Sequence, residues 1–181
     1  MRKLDWKKMT VTEVGAAVCN HLRNNKIPVV LSGGACVSIY SNNQHTSRDL
    51  DFVMFDYSLK EIDPIMESLG FRRTENHRHY ENPDCIYFVE FPPSPLMVGE
   101  EFVTKTAIIK NIYGKLRLLR PVDSVKDRLS AFYHWNDRQA LEQAILICKT
   151  KRIDKNEIKK WSQKEGALEK YKYFAELLKK E

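Results

Sequence analysis

The chain lacks any pairing of cysteines. Its four, Cys19, Cys36, Cys85 and Cys148, are scattered, with no C-x-x-C pair and no Cys/His group at zinc-ligand spacing. This argues against a disulfide framework and for a reducing compartment. No stretch approaches the roughly 20 apolar residues that a membrane-spanning helix needs, so no membrane partner is expected. Residues Met1 to Lys8 are charged and hold no apolar run, so no signal peptide is expected and the predicted location is cytoplasmic. Internal repeats and low-complexity stretches are also missing.

What remains is an ordinary globular composition, 43% apolar and 30% charged, on 181 residues. A chain of that length buries a core without staples, as one domain or a domain with a helical appendage. The formal net charge of +6 is uneven, because residues 149–181 hold 11 Lys/Arg against 6 Asp/Glu. A basic surface suits anionic partners such as RNA or nucleotides. The interleaving of Lys with Glu fits a solvated helix face as well.

Periodicity predicts a helix over 10–25, with Val11, Val14, Ala17, Val18 and Leu22 as its apolar stripe and Thr10 as its cap. Val29-Val30-Leu31 reads as a buried strand broken by Ser32-Gly33-Gly34, and Ala35 to Tyr40 as a short helix. A second strand is expected over 49–55 and a helix over 58–69, closed by Gly70. Strands follow within 71–91 until Pro92-Pro93-Ser94-Pro95, which stops the last strand or stands as a rigid loop over a site. Residues 104–119 suggest a hairpin turning near Tyr113-Gly114. Pro121 opens a helical regime: a long helix or helix pair over 123–149, capped by Asp123 or Ser124, and one or two helices over 154–180. The expected architecture is an α/β (α+β) core over 1–120, a mixed sheet flanked by helices, with a C-terminal helical region over 121–181 packed on it.

One ordered constellation carries chemistry. A strand runs into Gly33-Gly34, which opens a helix; Asp49-Leu50-Asp51 begins a second strand; Glu90 lies near the end of a later one. Glycines at a strand-to-helix turn let a phosphate approach the backbone, and helix N-terminal amides point at the anion. Residues two apart on a strand face the same side, so Asp49 and Asp51 project together, their Cα atoms roughly 6.5–7 Å apart. Two such carboxylates can share hard cations such as Mg²⁺. A third from a neighbouring strand would complete a site for two ions.

The run Leu31-Ser32-Gly33-Gly34-Ala35 followed by Arg48-Asp49-Leu50-Asp51-Phe52 resembles the nucleotidyltransferase superfamily signature h-G-[GS] … D-x-[DE]-h, and Phe88-Val89-Glu90-Phe91 fits its third element, h-[DE]-h. Residues 119–129 look like the helical part of a minimal branch that includes the AbiEii-like, toxin-antitoxin-type nucleotidyltransferases. The resemblance covers roughly residues 25–150. It implies a mixed sheet flanked by helices and Mg²⁺-dependent transfer of a nucleoside monophosphate from an NTP to a hydroxyl. The acceptor is left open among RNA, protein and small molecules. Ser32, Gly33 and Gly34 would cradle the phosphates, Asp49 and Asp51 would bind metal, and Glu90 would bind metal or act as the base.

Arg48 would touch a phosphate or pair with Asp49 or Asp51. Lys126 and Arg128 would contact the triphosphate or be surface cations. Asp137 is expected in a structural network with Asp127, Arg128, Asn136 and Arg138. The histidines show no metal spacing, and His77 and His79 are expected in a loop or at the surface. Tyr133, His134 and Trp135 are expected in the core or an interface, although an aromatic there can stack on a nucleobase. Two other functions stay open: a non-catalytic nucleotide- or partner-binding member of the same fold, and a basic RNA-binding module.

Overall fold

The computed structural model describes residues 4–55, 58–75 and 78–180. His77, expected in a loop or at the surface, lies outside the described residues.

Thr10 starts the first helix, α1 (Val11–Asn24), through a reciprocal capping box. The Glu13 amide donates to Thr10 Oγ1, and the Thr10 amide to Glu13 Oε2 at 2.8 Å. Strand β1 (Val29–Ser32) runs directly into α2 (Gly33–Tyr40), and β2 (Asp49–Met54) follows a polar loop. Then come α3 (Leu59–Glu67), β3 (Arg72–Arg73), β4 (His79–Glu81) and β5 (Phe88–Glu90). A small hairpin, β6 (Met97–Val98) and β7 (Glu101–Phe102), precedes the larger hairpin β8 (Thr106–Asn111) and β9 (Gly114–Leu119). Helices α4 (Pro121–Trp135), α5 (Arg138–Thr150), α6 (Lys155–Lys164) and α7 (Leu168–Lys180) complete the chain.

Seven strands form one mixed sheet in the order β3-β4-β5-β2-β1-β9-β8. The β2–β5 and β1–β9 pairs are parallel and the others antiparallel. One face packs inward: Leu31, Leu50, Phe52, Tyr80 and Val89 are all fully buried. Helix α1 lies so close on this face that a Cβ at Gly15 would stand 3.3 Å from the Leu116 side chain and 3.4 Å from that of Leu50. The opposite face carries Ser32, Asp51, His79 and Glu90, together with the buried Val30 and Val53.

The helical region starts earlier than the capping pattern suggests. Pro121 occupies the first helical position, where its fixed φ is preset and its missing N–H costs nothing. Asp123 therefore lies inside the first turn, holding Arg120 through contacts of 2.6 and 2.8 Å, and neither it nor Ser124 caps the helix. Asn136 ends α4 in the left-handed conformation, and Asp137 caps α5 by accepting from the Ala140 amide at 3.0 Å. Lys170 of α7 donates to the Phe132 and Tyr133 carbonyls at 3.1 and 2.6 Å, adding to the Asn136 amide that already reaches the Phe132 carbonyl at the end of α4. Tyr133 and Ser162 share a buried hydrogen bond of 2.8 Å, tying α6 to α4. A single cluster of buried residues runs from the sheet through Phe132, Trp161 and Phe174. No helix among the described residues is long and apolar enough to cross a membrane.

Candidate active site

Four side chains stand in one row across four adjacent strands. Ser32 of β1 pairs with Asp51 of β2, Asp51 with Glu90 of β5, and Glu90 with His79 of β4. Registered partners project to the same side of a sheet, so Asp51 and Glu90 are neighbours on one face. Asp49, two residues before Asp51, shares that face from an exposed position at the strand's start. Burial pushes the Asp51 carboxyl up to about 6, and the negative charges of Glu90 and then Asp49 add to the effect, while Arg128 opposes it. Asp49 and Glu90 both bear on Asp51 from the same face.

The glycine turn lies against the same row. Gly33 has φ +66, and a Cβ there would stand 1.9 Å from Asp51 Oδ2. Only a residue without a side chain lets the carboxylate lie over the turn. Ser32, at the N-cap position of α2, does not cap it; its hydroxyl donates to the Asp51 carbonyl at 3.2 Å. The first turn of α2 holds no acidic residue. Among the described residues no side chain caps this helix start, and uncapped helix N-termini are where an anion is stabilised.

A polar network borders the turn on its other side. Arg128 donates to Asp127 Oδ2 at 2.6 Å and to Gln143 Oε1 of α5 at 3.4 Å, and Gln143 Nε2 lies 3.4 Å from His45 Nε2. Burial, then the nearby Arg128 charge, lowers the His45 pKa. His45 and Ser47 flank Gly34, where a Cβ would meet Ser47 Oγ at 3.0 Å. The expected lock between α4 and α5 is thus made by Arg128 with Gln143, while Asp137 serves as a cap.

Lys126 is not brought to this site. Two residues apart on a helix means roughly 200° of rotation, so Lys126 and Arg128 leave α4 on opposite sides. Lys126 is buried and donates to Glu157 Oε1 at 2.9 Å, with Glu101 3.8 Å away. Arg48 is exposed one residue before Asp49, and alternation puts it on the other face. Among the described residues it pairs with neither Asp49 nor Asp51.

His79, expected in a loop or at the surface, lies in β4 with its Nε2 2.9 Å from Glu90 Oε2, and its ring stacks on Phe88 at 6.3 Å and 8°. Nothing local in the sequence marks this partnership, because it depends on which strands become neighbours. Gln143 and His45 were likewise invisible until α5 folded back over the turn.

Three carboxylates offer hard oxygen donors, which suits Mg²⁺. The row and the Asp49–Asp51 spacing fit such an ion in donor chemistry. Among the described residues, however, no three His, Cys, Asp or Glu side chains already close on one point. Beside Arg128 opens a groove of about 400 Å³ between α4 and the β6–β7 hairpin, lined also by Met97, Asp127, His134 and Trp135. Trp135, expected in the core or an interface, is 77% exposed. A hollow of about 510 Å³ lined by Trp6, Asn20, His21 and Ile112 lies away from the carboxylates.

This is a nucleotidyltransferase-like fold. The solution structure of the antibiotic-resistance factor ANT(2'')-Ia is similar at a TM-score of 0.53 and 14% identity, over 94% of this chain and 99% of that one. An antigenic nucleotidyltransferase-like protein from Paracoccidioides brasiliensis is similar at 0.55 and 14% identity, over 76% and 74% of the two chains. A crystal structure of ANT(2")-Ia in complex with adenylyl-2"-tobramycin gives 0.50 and 13% identity, over 94% and 97%. No family model and no curated protein matches the sequence.

Proposed function

We propose that the chain is a Mg²⁺-dependent nucleotidyltransferase that moves a nucleoside monophosphate from an NTP to an acceptor hydroxyl. One observation carries this reading. The register that sets Asp51 beside Glu90, with Asp49 on the same face, also brings Asp51 against the Gly33 turn. Acidic residues and an anion-binding turn are useful together when a cation bridges carboxylates to a triphosphate.

Asp49 and Asp51 would hold the metal, two ions being the expected number, with Glu90 as a third ligand or as the base. Bound Mg²⁺ would supply charge neutralisation for the triphosphate and a lowered pKa for the attacking hydroxyl. The amides at Gly33 and Gly34 would receive phosphate oxygens. Arg128, held by Asp127 and Gln143, would set a fixed positive charge beside them. Lys126 has no place in this mechanism.

The ANT(2")-Ia complex with adenylyl-2"-tobramycin supports an adenylyl donor and a hydroxyl acceptor. Membership of the minimal, AbiEii-like branch, with its toxin-antitoxin context, belongs to the same proposal and rests on residues 119–129. The net charge of +6 favours an anionic acceptor such as RNA over a polycationic one.

The test is incubation of the protein with each α-labelled NTP, Mg²⁺, and cell RNA or protein extract. Label should move to an acceptor with the unaltered chain and not with Asp51→Asn. Absence of transfer from every NTP, together with no metal-dependent NTP binding, would overturn the reading.

A further inference from the structure

Strands β1 and β9 run parallel but pair only at Leu31 and Leu118. Below that point they part, and Pro28, at the entry to β1, has no N–H to offer a ladder. Cys19 of α1 reaches into the split. Its Sγ accepts from the Arg117 amide at 3.4 Å and lies 4.0 Å from the Val29 carbonyl. Beside the thiol opens a cavity of about 80 Å³, lined also by Arg23, Pro28, Ile108, Lys115 and Arg117. Its lining holds three cations and no acidic residue.

The cations gather here without counter-charges. Leu116 packs against α1 at Gly15, so its neighbours Lys115 and Arg117 leave β9 on the opposite face. There Lys110 stands directly across from Lys115, and Ile108 across from Arg117. Like charges in direct register oppose each other, and this face of the β8–β9 hairpin carries no acidic residue. Arg23 donates to Asn20 Oδ1 at 2.7 Å. Among the described residues no carboxylate forms an ion pair with Arg23, Lys115 or Arg117. Lys126 and Arg128, by contrast, are held by Glu157 and Asp127. The Cys19 thiol feels the convergence: burial raises its pKa, while the Arg117 amide and the charges of Arg23 and Arg117 lower it.

We propose that this cavity is a phosphate-binding site, separate from the Gly33 turn, in which Arg23, Lys115 and Arg117 hold one phosphate group. A guanidinium presents paired donors to phosphate oxygens, and an ammonium adds a point charge. Three cations suit a dianion better than a single carboxylate charge. The site lies at the start of β1 and Ser32 at its end, roughly 10 Å along the strand. Lys115 and Arg117 share the sheet face of Asp51 and Glu90, the face away from α1. Two sources carry this chemistry: free inorganic phosphate, and a phosphate on the acceptor whose hydroxyl reaches the carboxylates. Only the second source rests on the nucleotidyltransferase reading.

The test is an amide-resolved NMR titration of the full chain with sodium phosphate at neutral pH and constant ionic strength, without NTP or Mg²⁺. Saturable shifts are expected at residues 115–117 and around Arg23. Arg117→Gln and Lys115→Gln should each weaken phosphate binding by about fivefold or more, and the double variant should abolish it. The spectra also show that each variant is folded. Acetate at matched ionic strength should bind at least about tenfold more weakly than phosphate. In Arg128→Ala, which lacks the cation beside the Gly33 turn, the response at 115–117 should persist. A single-stranded RNA of about five nucleotides separates the two sources. Displacement of phosphate by this RNA, with weaker RNA binding in Arg117→Gln, assigns the group to the acceptor; phosphate that stays bound assigns it to the free ion. Failure of nucleotidyl transfer would leave the site standing, because the titration contains no NTP. The site is overturned by the absence of saturable shifts at 115–117, by an undiminished response in the double variant, or by acetate binding as tightly as phosphate.

Discussion

The Asp51 carboxylate lies against the backbone of Gly33, in the space that a methyl group there would occupy. Gly33→Ala meets two penalties: a side chain in the left-handed region, costing roughly 1–2 kcal/mol, and a collision 1.9 Å from Asp51 Oδ2. A lowered Tm and loss of NTP binding are expected. Gly34→Ala is the control, since its Cβ would meet the flexible Ser47 hydroxyl at 3.0 Å and its φ is not in the left-handed region. Calorimetric binding and thermal melts of the two variants check this, and equal effects would contradict it.

Stability should fall as pH rises through the range where Asp51 titrates. Its folded-state pKa, about 6, exceeds the ordinary 3.8 because burial and then Glu90 and Asp49 oppose its charge. The unfolded chain therefore releases this proton first, and between about pH 4 and 6 the folded state loses ground. The penalty is fully present above pH 6 and gone below pH 4, with a size of order 1–3 kcal/mol. Asp51→Asn should raise the metal-free Tm at pH 7.5 and leave it nearly unchanged at pH 3.5. Added Mg²⁺ should stabilise the unaltered chain and not the variant. Melting curves over that pH range, with and without Mg²⁺, would show the opposite ordering if Asp51 were stabilised by its charge.

Arg128 and Lys126 should separate cleanly. Arg128→Ala removes the cation beside the turn and leaves Asp127 unpaired near Asp51, so NTP affinity should drop by about tenfold or more. Lys126→Ala breaks a partly buried contact with Glu157, so Tm should fall while NTP affinity holds. Titration with an NTP analogue beside a melt of each variant makes the comparison. A loss of affinity in Lys126→Ala would place that lysine back at the triphosphate.

Tryptophan fluorescence should report the groove beside Arg128. Trp6 and Trp161 are 8% and 1% exposed, whereas Trp135 is 77% exposed and lines that groove. A nucleotide or acceptor base stacking there should quench the emission, and Trp135→Phe should remove the response. A response that persists in Trp135→Phe would locate the ligand elsewhere.

Much of this fold is local and therefore legible. The stripe Val11, Val14, Val18, Leu22 and the Thr10 cap mark α1, and the β-branched run with Gly33-Gly34 marks the β1–α2 turn, because period and capping act over a few residues. The Asp49–Asp51 pair is legible for the same reason. Opposite projections of Lys126 and Arg128 followed from helical geometry, but the direction toward the site depended on how α4 packs. The β6–β7 hairpin is two residues per strand, too short for alternation to show. His79 beside Glu90 is a cross-strand fact, set by pairing between segments whose sequences do not announce each other.

The parallel pairing of β2 with β5 has a kinetic consequence. Parallel neighbours cannot be joined by a tight hairpin, so the chain makes an excursion through α3, β3 and β4 before Glu90 returns beside Asp51. Closing that long loop is slow compared with forming α1 or the β8–β9 hairpin. In a nascent or partly folded chain Glu90 remains far from Asp49 and Asp51 and repels them little. Cation-binding competence should emerge among the last events of folding, so that immature chains stay inert toward nucleotides.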